Sequence, residues 1–266
     1  MFPGATADRK HADYVVVGAP LDVSTSFQPG TRFGPDRVRQ FARTFEDYDH
    51  RTDQSFSTLG VHDAGDVRAW DDAEAYLDYL RGTLTDVVWD DAVPLLVGGE
   101  HTVSVAGVRA VDPDVFVALD AHLDLRDAYD GNPLSHSTVT RHALSVADEA
   151  YVVGARSGSG AEWERAREDD VTVVEPDEVR SWSPSFSGEV YVSVDVDAAD
   201  PAFAPGTGTP EPGGLSSRTL RRLVRDLAPM ASAFDVVEVN DRDDGQAAVL
   251  GAKLLRDFVF AHAAGE

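Results

Sequence analysis

At 266 residues, with 42% hydrophobic side chains, the chain is long enough to bury a sizeable core and too apolar to be disordered. It has no cysteine, which excludes disulfides and thiolate metal sites, and its formal charge of −24, from 47 acids against 23 bases, argues against nucleic acid or anionic membrane as a partner. Apart from Lys10 and Lys253 every Lys/Arg position is arginine, and the acids are spread through Asp47–Asp53, Asp71–Asp78, Glu162–Asp170 and Asp241–Asp244. Adaptation to a salty cytoplasm accounts for that spread better than steering of a cationic substrate, because at molar salt the screening length is only about 3 Å.

In chain order, residues 1–12 carry no apolar core segment and read as a flexible N-terminal tail without a signal peptide, ahead of a single domain over 13–266. No apolar run reaches membrane-spanning length, so the expected location is the cytoplasm. Tyr14–Gly18 reads as the first core strand. A turn-rich loop, Ala19–Arg32, follows, and Gly34-Pro35-Asp36 opens a helix to about Phe45. Ser57–Val67 holds a short strand ending in HDAGD. Ala73, Leu77, Leu80 and Leu84 give Asp71–Asp86 helical spacing. The strand Val93–Val97 ends in Gly98-Gly99-Glu100-His101, where paired glycines let the backbone turn tightly. A helix then covers Val103–Ala110, with Thr102 or Ser104 to cap or line its start.

Val115–Asp127, VFVALDAHLDLRD, is the stretch around which the rest is organised. A β-branched strand delivers Asp120, His122 and Asp124 at alternate positions, which share a face if the backbone stays extended. Two carboxylates and an imidazole at a buried strand end are costly without a partner, and a metal ion satisfies all three. The loop Arg126–Ser137 carries His136, and Thr138–Val146 reads as a helix. Ala150–Ala155 is a strand, Glu162–Glu168 an acidic helix and Val171–Val174 a strand. Val190–Pro201, VYVSVDVDAADP, repeats the metal-strand pattern with Asp195 and Asp197. After the Gly/Pro loop Ala204–Gly214, Ser217 is expected to cap a helix over Arg218–Leu227. Phe234–Val239, carrying Glu238, is the last strand, and Gly245–Ala264 a closing helix.

Seven or eight strand signals alternating with helices predict an α/β fold, a single doubly wound parallel sheet flanked on both faces, with ligands at the C-terminal strand ends. Asp120, Asp124, Asp195 and Asp197 carry four negative charges beside the neutral donors His101 and His122, a set that two divalent cations would balance. Oxygen-rich ligation without thiolate favours manganese over zinc, with other divalent metals left open.

GGEH, DAHLD and SVDVDAADP, in that order, resemble the three metal motifs of the ureohydrolase family, which includes arginases and agmatinases. The resemblance runs from GAPLDVSTSFQPGTRFGPDRVR (Gly18–Arg39) through HDAGD (His62–Asp66) to DVVEVN (Asp235–Asn240). It implies an arginase-like three-layer α/β/α fold and hydrolysis of a guanidino group to urea and an amine. It also implies two Mn2+ per chain, one on His101, Asp120, Asp124 and Asp195, the other on Asp120, His122, Asp195 and Asp197. Glu238 would hold the guanidinium, Asp124 would move a proton to the leaving amine, and His136 would contact substrate or exchange protons with solvent. His62 and Asp66 would be structural. The implied state is a homo-oligomer, trimer or hexamer. The loops RDAYDGNPLSHST and APGTGTPEPGG are closer to agmatinases than to arginases, so the expected reaction is agmatine to putrescine and urea, a step of polyamine biosynthesis. Arginase, guanidinobutyrase and aminopropylagmatine ureohydrolase are the alternatives, with Arg126 and Arg156 as candidate partners for a substrate carboxylate. An inactive regulatory paralogue is the alternative of another class, against which the intact metal positions and Glu238 argue. Departures from the family pattern are Glu100 for a usual aspartate, Ser137 for a usual glycine, and Asn240-Asp241 for Asn-Pro.

Overall fold

Runs of β-branched residues such as Tyr14–Ala19 and Val190–Asp195 are buried along their whole length, which requires a sheet covered on both faces. The structure is a computed structural model and describes residues 1–68, 70, 72–240 and 242–265. Its elements in chain order are β1 (Tyr14–Ala19), α1 (Gly34–Ala42), β2 (Tyr48–Asp49), β3 (Gln54–Ser55), β4 (Val61–Asp66), α2 (Ala73–Trp89), β5 (Val93–Gly98), α3 (Ser104–Val111), β6 (Val115–Leu119), α4 (Val139–Ala143), β7 (Glu149–Val153), α5 (Gly160–Arg165), β8 (Val171–Val174), β9 (Val190–Asp195), α6 (Ser217–Leu227), β10 (Ala231–Val237) and α7 (Gln246–Gly265). β2 and β3 form a small antiparallel hairpin. The other eight strands form one all-parallel sheet in the order β4-β1-β5-β10-β9-β6-β7-β8, the doubly wound fold expected.

Alternate side chains feed the two faces. Val16, Leu95 and Val97 pack with α1, α6 and α7, whereas Val15, Val17 and Leu96 pack with α2 and α3. Phe234 of β10 stacks on Phe258 of α7 with ring centroids 4.5 Å apart. The four central strands, β5, β10, β9 and β6, are thereby fixed from both sides, and their C-terminal ends carry the expected site.

The structure departs from the sequence expectations at three places. The first residues are not a loose tail: Phe2 is buried against Phe56, its backbone N–H donates to Asp63, and the Ala7 carbonyl lies 2.9 Å from His62 Nδ1. An apolar residue so close to the end was the overlooked signal. Ser216, not Ser217, caps α6, accepting from the Thr219 N–H at 3.1 Å. Neither Thr102 nor Ser104 caps α3; a 3-10 turn over His101–Val103 leads into it instead, and Thr102 Oγ1 donates to Glu100. The Asp71 end of the α2 reading lies outside the described residues, while the helix runs past Asp86 to Trp89.

Candidate functional site

The backbone does not stay extended through the acids, so strand alternation is not what gathers them. β6 stops at Leu119, where the Asp120 carboxylate accepts the His122 N–H at 2.7 Å and turns the chain. Asp195 does the same with the Asp197 N–H at 2.8 Å, closing β9 into a 3-10 turn. Asp124 then sits at φ +52° and Glu238, just past β10, at φ +61°. Among the described non-glycine residues at positive φ, Glu238 is the exception to a set otherwise made of aspartates. Such a backbone costs on the order of 1–3 kcal/mol and persists where the surroundings demand it. At the end of β5, a Cβ on Gly99 would meet the Leu21 carbonyl oxygen at 1.9 Å, so glycine is needed there for space rather than for positive φ.

These turns bring all six expected ligands together. His101 Nδ1 lies 2.9 Å from Asp124 Oδ2, 3.1 Å from Asp120 Oδ2 and 3.8 Å from Asp195 Oδ2. His122 Nδ1 lies 2.9 Å from Asp197 Oδ2 and 3.6 Å from Asp120 Oδ1. Two groups result, His101–Asp120–Asp124 and Asp120–His122–Asp197, and Asp120 belongs to both. His101 Nδ1 and Asp120 Oδ2 are buried and close, yet neither has a hydrogen-bond partner. Donor atoms that converge without bonding one another are what a shared cation requires, and the residues present fit a pair of divalent ions.

Electrostatics say the same. Burial, and then Asp197 and Asp120, push the Asp195 carboxyl well above the carboxylate range. Burial and Asp120 push Asp124 up to about 7. Against its burial, Asp197 and Asp120 push His122 up to about 12. Four carboxylates and two imidazoles cannot all take their metal-ligating forms without added positive charge.

Sequence reasoning missed what stands behind His101. Its Nε2 is 3.0 Å from Ser193 Oγ; Ser193 donates to Asp235 Oδ1 at 2.6 Å, and the Tyr191 hydroxyl donates to Asp235 Oδ2 at 2.8 Å. Because Ser193 gives its proton to Asp235, its oxygen is free to accept from Nε2–H, which leaves the lone pair on Nδ1 facing the carboxylates. The available signal was a serine inside YVSVD and an aspartate inside FDVV, polar residues where a buried strand has no use for them.

Glu238 is buried beside the cluster, where its Oε1 accepts the His101 N–H at 2.9 Å and burial pushes its carboxyl up to about 8. A Cβ on Gly208 would stand 3.1 Å from Glu238 Oε2, so the Ala204–Gly214 loop closes tightly over this acid. Thr209 of the same loop donates to Asp197 at 3.3 Å. His136 is held by Ser24 and Ser26: Ser24 Oγ accepts its backbone N–H at 3.0 Å, and Ser26 Oγ lies 3.3 Å from its Nε2. Ser24 is anchored in turn by the buried Glu100, which accepts its N–H at 2.7 Å and its hydroxyl at 2.8 Å. Glu100, a departure from the family pattern, therefore secures the loop that meets His136. Burial pushes the His136 imidazole below its ordinary range.

A cavity of about 310 Å³ opens beside the cluster, walled by His122, Asp124, Ser26 and His136 inside and by Arg126, Tyr129, Ser159 and Glu162. Arg156 is not in its wall; its guanidinium is spent on backbone carbonyls of Gly154, Asp197, Ala199 and Glu211. His62 and Asp66 stay apart from the site, as expected: Asp66, with Asp63, holds Arg39.

A sequence profile of the arginase family matches residues 12–261. The chain is 36% identical over 265 residues to an agmatinase of Pyrococcus horikoshii, covering 94% of this chain and 92% of that protein. It is 34% identical over 258 residues to an N(1)-aminopropylagmatine ureohydrolase of Thermococcus kodakarensis, covering 92% and 90%. The solved agmatine ureohydrolase of Thermoplasma volcanium superposes with a TM-score of 0.90 at 33% identity, over 99% of this chain and 94% of that one.

Proposed function

The chain belongs to the arginase family, and from that membership we propose that it hydrolyses agmatine to putrescine and urea at a pair of divalent metal ions. The observation that carries the reading is Asp120 standing between two histidine–carboxylate groups, with the buried Glu238 alongside. His101, Asp120, Asp124 and Asp195 would hold one ion, and Asp120, His122, Asp195 and Asp197 the other. The oxygen-rich donor set favours Mn2+. Such ions, when bound, supply Lewis acidity and activate water near neutral pH.

The remaining work falls to side chains. Glu238 offers two carboxylate oxygens to the planar guanidinium, a charge-assisted contact that orients the carbon under attack. Asp124, beside His101 and in the cavity wall, takes a proton from the attacking water and returns it to the leaving amine. His136, at the cavity wall and kept neutral by burial, exchanges protons with solvent. No cation in the described cavity wall is free for an α-carboxylate, because Arg126 is paired with Glu162 at 3.1 Å. Burying that carboxylate unpaired costs several kcal/mol, and even about 3 kcal/mol gives a factor on the order of 100 in favour of agmatine over arginine.

Urea release from agmatine, arginine and guanidinobutyrate with added manganese tests the proposal; arginine turned over as well as agmatine would sink it. A cytoplasmic location and a homotrimer or hexamer complete the reading, the second checked by sedimentation. No described helix is long and apolar enough to cross a membrane.

A further inference from the structure

We propose that Arg126 sets the length of the substrate: its ion pair with Glu162 closes the outer end of the cavity, and without it the site would accept a longer polycationic guanidine. This deepens the guanidino-hydrolase reading and rests on it. Arg126, Ser159 and Glu162 line both the site cavity and a second one of about 340 Å³ beyond, so they form the wall between the two. The wall is well fixed. Arg126 Nε is 3.1 Å from Glu162 Oε2, its guanidinium lies 5.2 Å from the Tyr129 ring centroid, and its backbone N–H donates to the Ser137 carbonyl at 3.3 Å. Glu162 is 4% exposed and accepts from the Ser159 N–H and hydroxyl, both at 2.8 Å, and from the Leu125 N–H at 3.3 Å.

Glu162 is the buried carboxylate that Arg126 neutralises. A buried acid deprived of its cation is strongly unfavourable, so it binds the next cation that can reach it. The two other arginines lining the second cavity are engaged elsewhere, Arg141 by Asp127 and Arg165 by Asp170, each at 2.6 Å. Agmatine and N1-aminopropylagmatine share the guanidinium, so Glu238 and the metal ligands cannot tell them apart. They differ at the far end, where the longer compound carries a further amine. The site cavity is at the small end of ligand sites, about 300–1,000 Å³. Space for the longer compound lies behind Arg126, and Glu162 is the acid that would meet its amine.

The test compares kcat/KM for agmatine and N1-aminopropylagmatine in the wild type, Arg126→Ala and Arg126→Gln, under one salt and manganese condition. The ratio of the longer to the shorter substrate should rise at least ~10-fold in Arg126→Ala. It should rise less in Arg126→Gln, which keeps the bulk and carries the test if the alanine variant does not fold. Adding Glu162→Gln to either variant should remove the gain. An unchanged ratio, or a gain that survives Glu162→Gln, overturns the proposal. If the wild type cleaves neither compound, the proposed function fails, and calorimetry then decides on Arg126 alone. Spermidine should tighten at least ~10-fold relative to putrescine on Arg126 replacement, and equal shifts for the two refute the inference.

Discussion

Two acid clusters sit along the strands of this sheet, each with buried carboxylates, and they differ in one respect. Around β4, Asp63 and Asp66 are met by Arg39, whose guanidinium places Nε and Nη2 each 2.8 Å from Asp63 and Nη1 against Asp66. Burial alone would raise the Asp63 pKa, but its bonds to Arg39 outweigh that and hold it below the usual range. Around β5, β6 and β9, four carboxylates share two imidazoles, and Asp124 and Asp195 are pushed up instead. The first cluster carries its own permanent cation and is scaffold. The second has no permanent cation: its imidazoles can take up protons but must shed them to act as ligands, so it calls for positive charge from outside.

Substitutions at Asp195, Arg39 and Ser193 test the difference between the clusters. Asp195→Ala should remove more than one metal ion per chain and lower kcat by at least ~10³-fold, about 4 kcal/mol; retention of two ions by elemental analysis would refute the ligand assignment. Arg39→Met should destabilise the fold by about 3–5 kcal/mol in urea titration while metal stoichiometry stays as in the wild type. Loss of ions in step with stability would erase the difference between the clusters. Ser193→Ala, which frees the far side of His101, should weaken manganese binding or activity by about 10–100-fold without unfolding the protein. An unaltered metal affinity and activity would make the Ser193–Asp235 pair packing alone.

The clusters should also oppose each other in pH. Asp63 has its folded pKa below the unfolded value, so its stability is present above about pH 4 and lost as pH falls through the folded pKa. Asp124 at about 7 and Glu238 at about 8 have folded values above the unfolded ones. Metal-free protein therefore binds more protons folded than unfolded, and its stability falls as pH rises from about 4 to 8. Urea midpoints should decline across that window for the metal-free protein and level off with manganese; a slope untouched by metal would contradict the assignment. The smallest effect concerns neither cluster. With screening weak, the spread of surface acids repels itself, so potassium chloride into the molar range should raise the melting temperature by roughly 3 °C or more. A flat or falling curve would favour substrate steering over salt adaptation.

Much of this was legible in the residues, for definite reasons. Asp120 and Asp195 stood out because acids directly after β-branched runs are expensive unless used. The parallel sheet followed from strands alternating with helices. What could not be read was anything that depends on which strands are neighbours. Ser193 and Asp235 are register partners on β9 and β10, and Tyr191 shares their face two residues back, a set that exists only once the sheet order is known. Ser24 meets His136 across 112 positions of chain, so the Ser-Thr-Ser of the first loop looked like an ordinary turn. The convergence of the ligands was expected from an extended strand and is achieved by Asx turns and a left-handed Asp124.

The position of β10 also governs how the molecule comes into being. It is the last of the sheet's strands in chain order, yet it lies between β5 and β9, with Glu238 immediately after it. Until Ala231–Val237 has left the ribosome, β5 and β9 lack the strand that lies between them, so half-sheets built from the earlier strands would each carry an unpaired edge. Exposed edges of that kind are templates for aggregation, and domains of this size fold through populated intermediates. A chain interrupted before Ala231 would lack both the strand that joins β5 to β9 and the residue that follows it, so closing the sheet and placing Glu238 would be one late step.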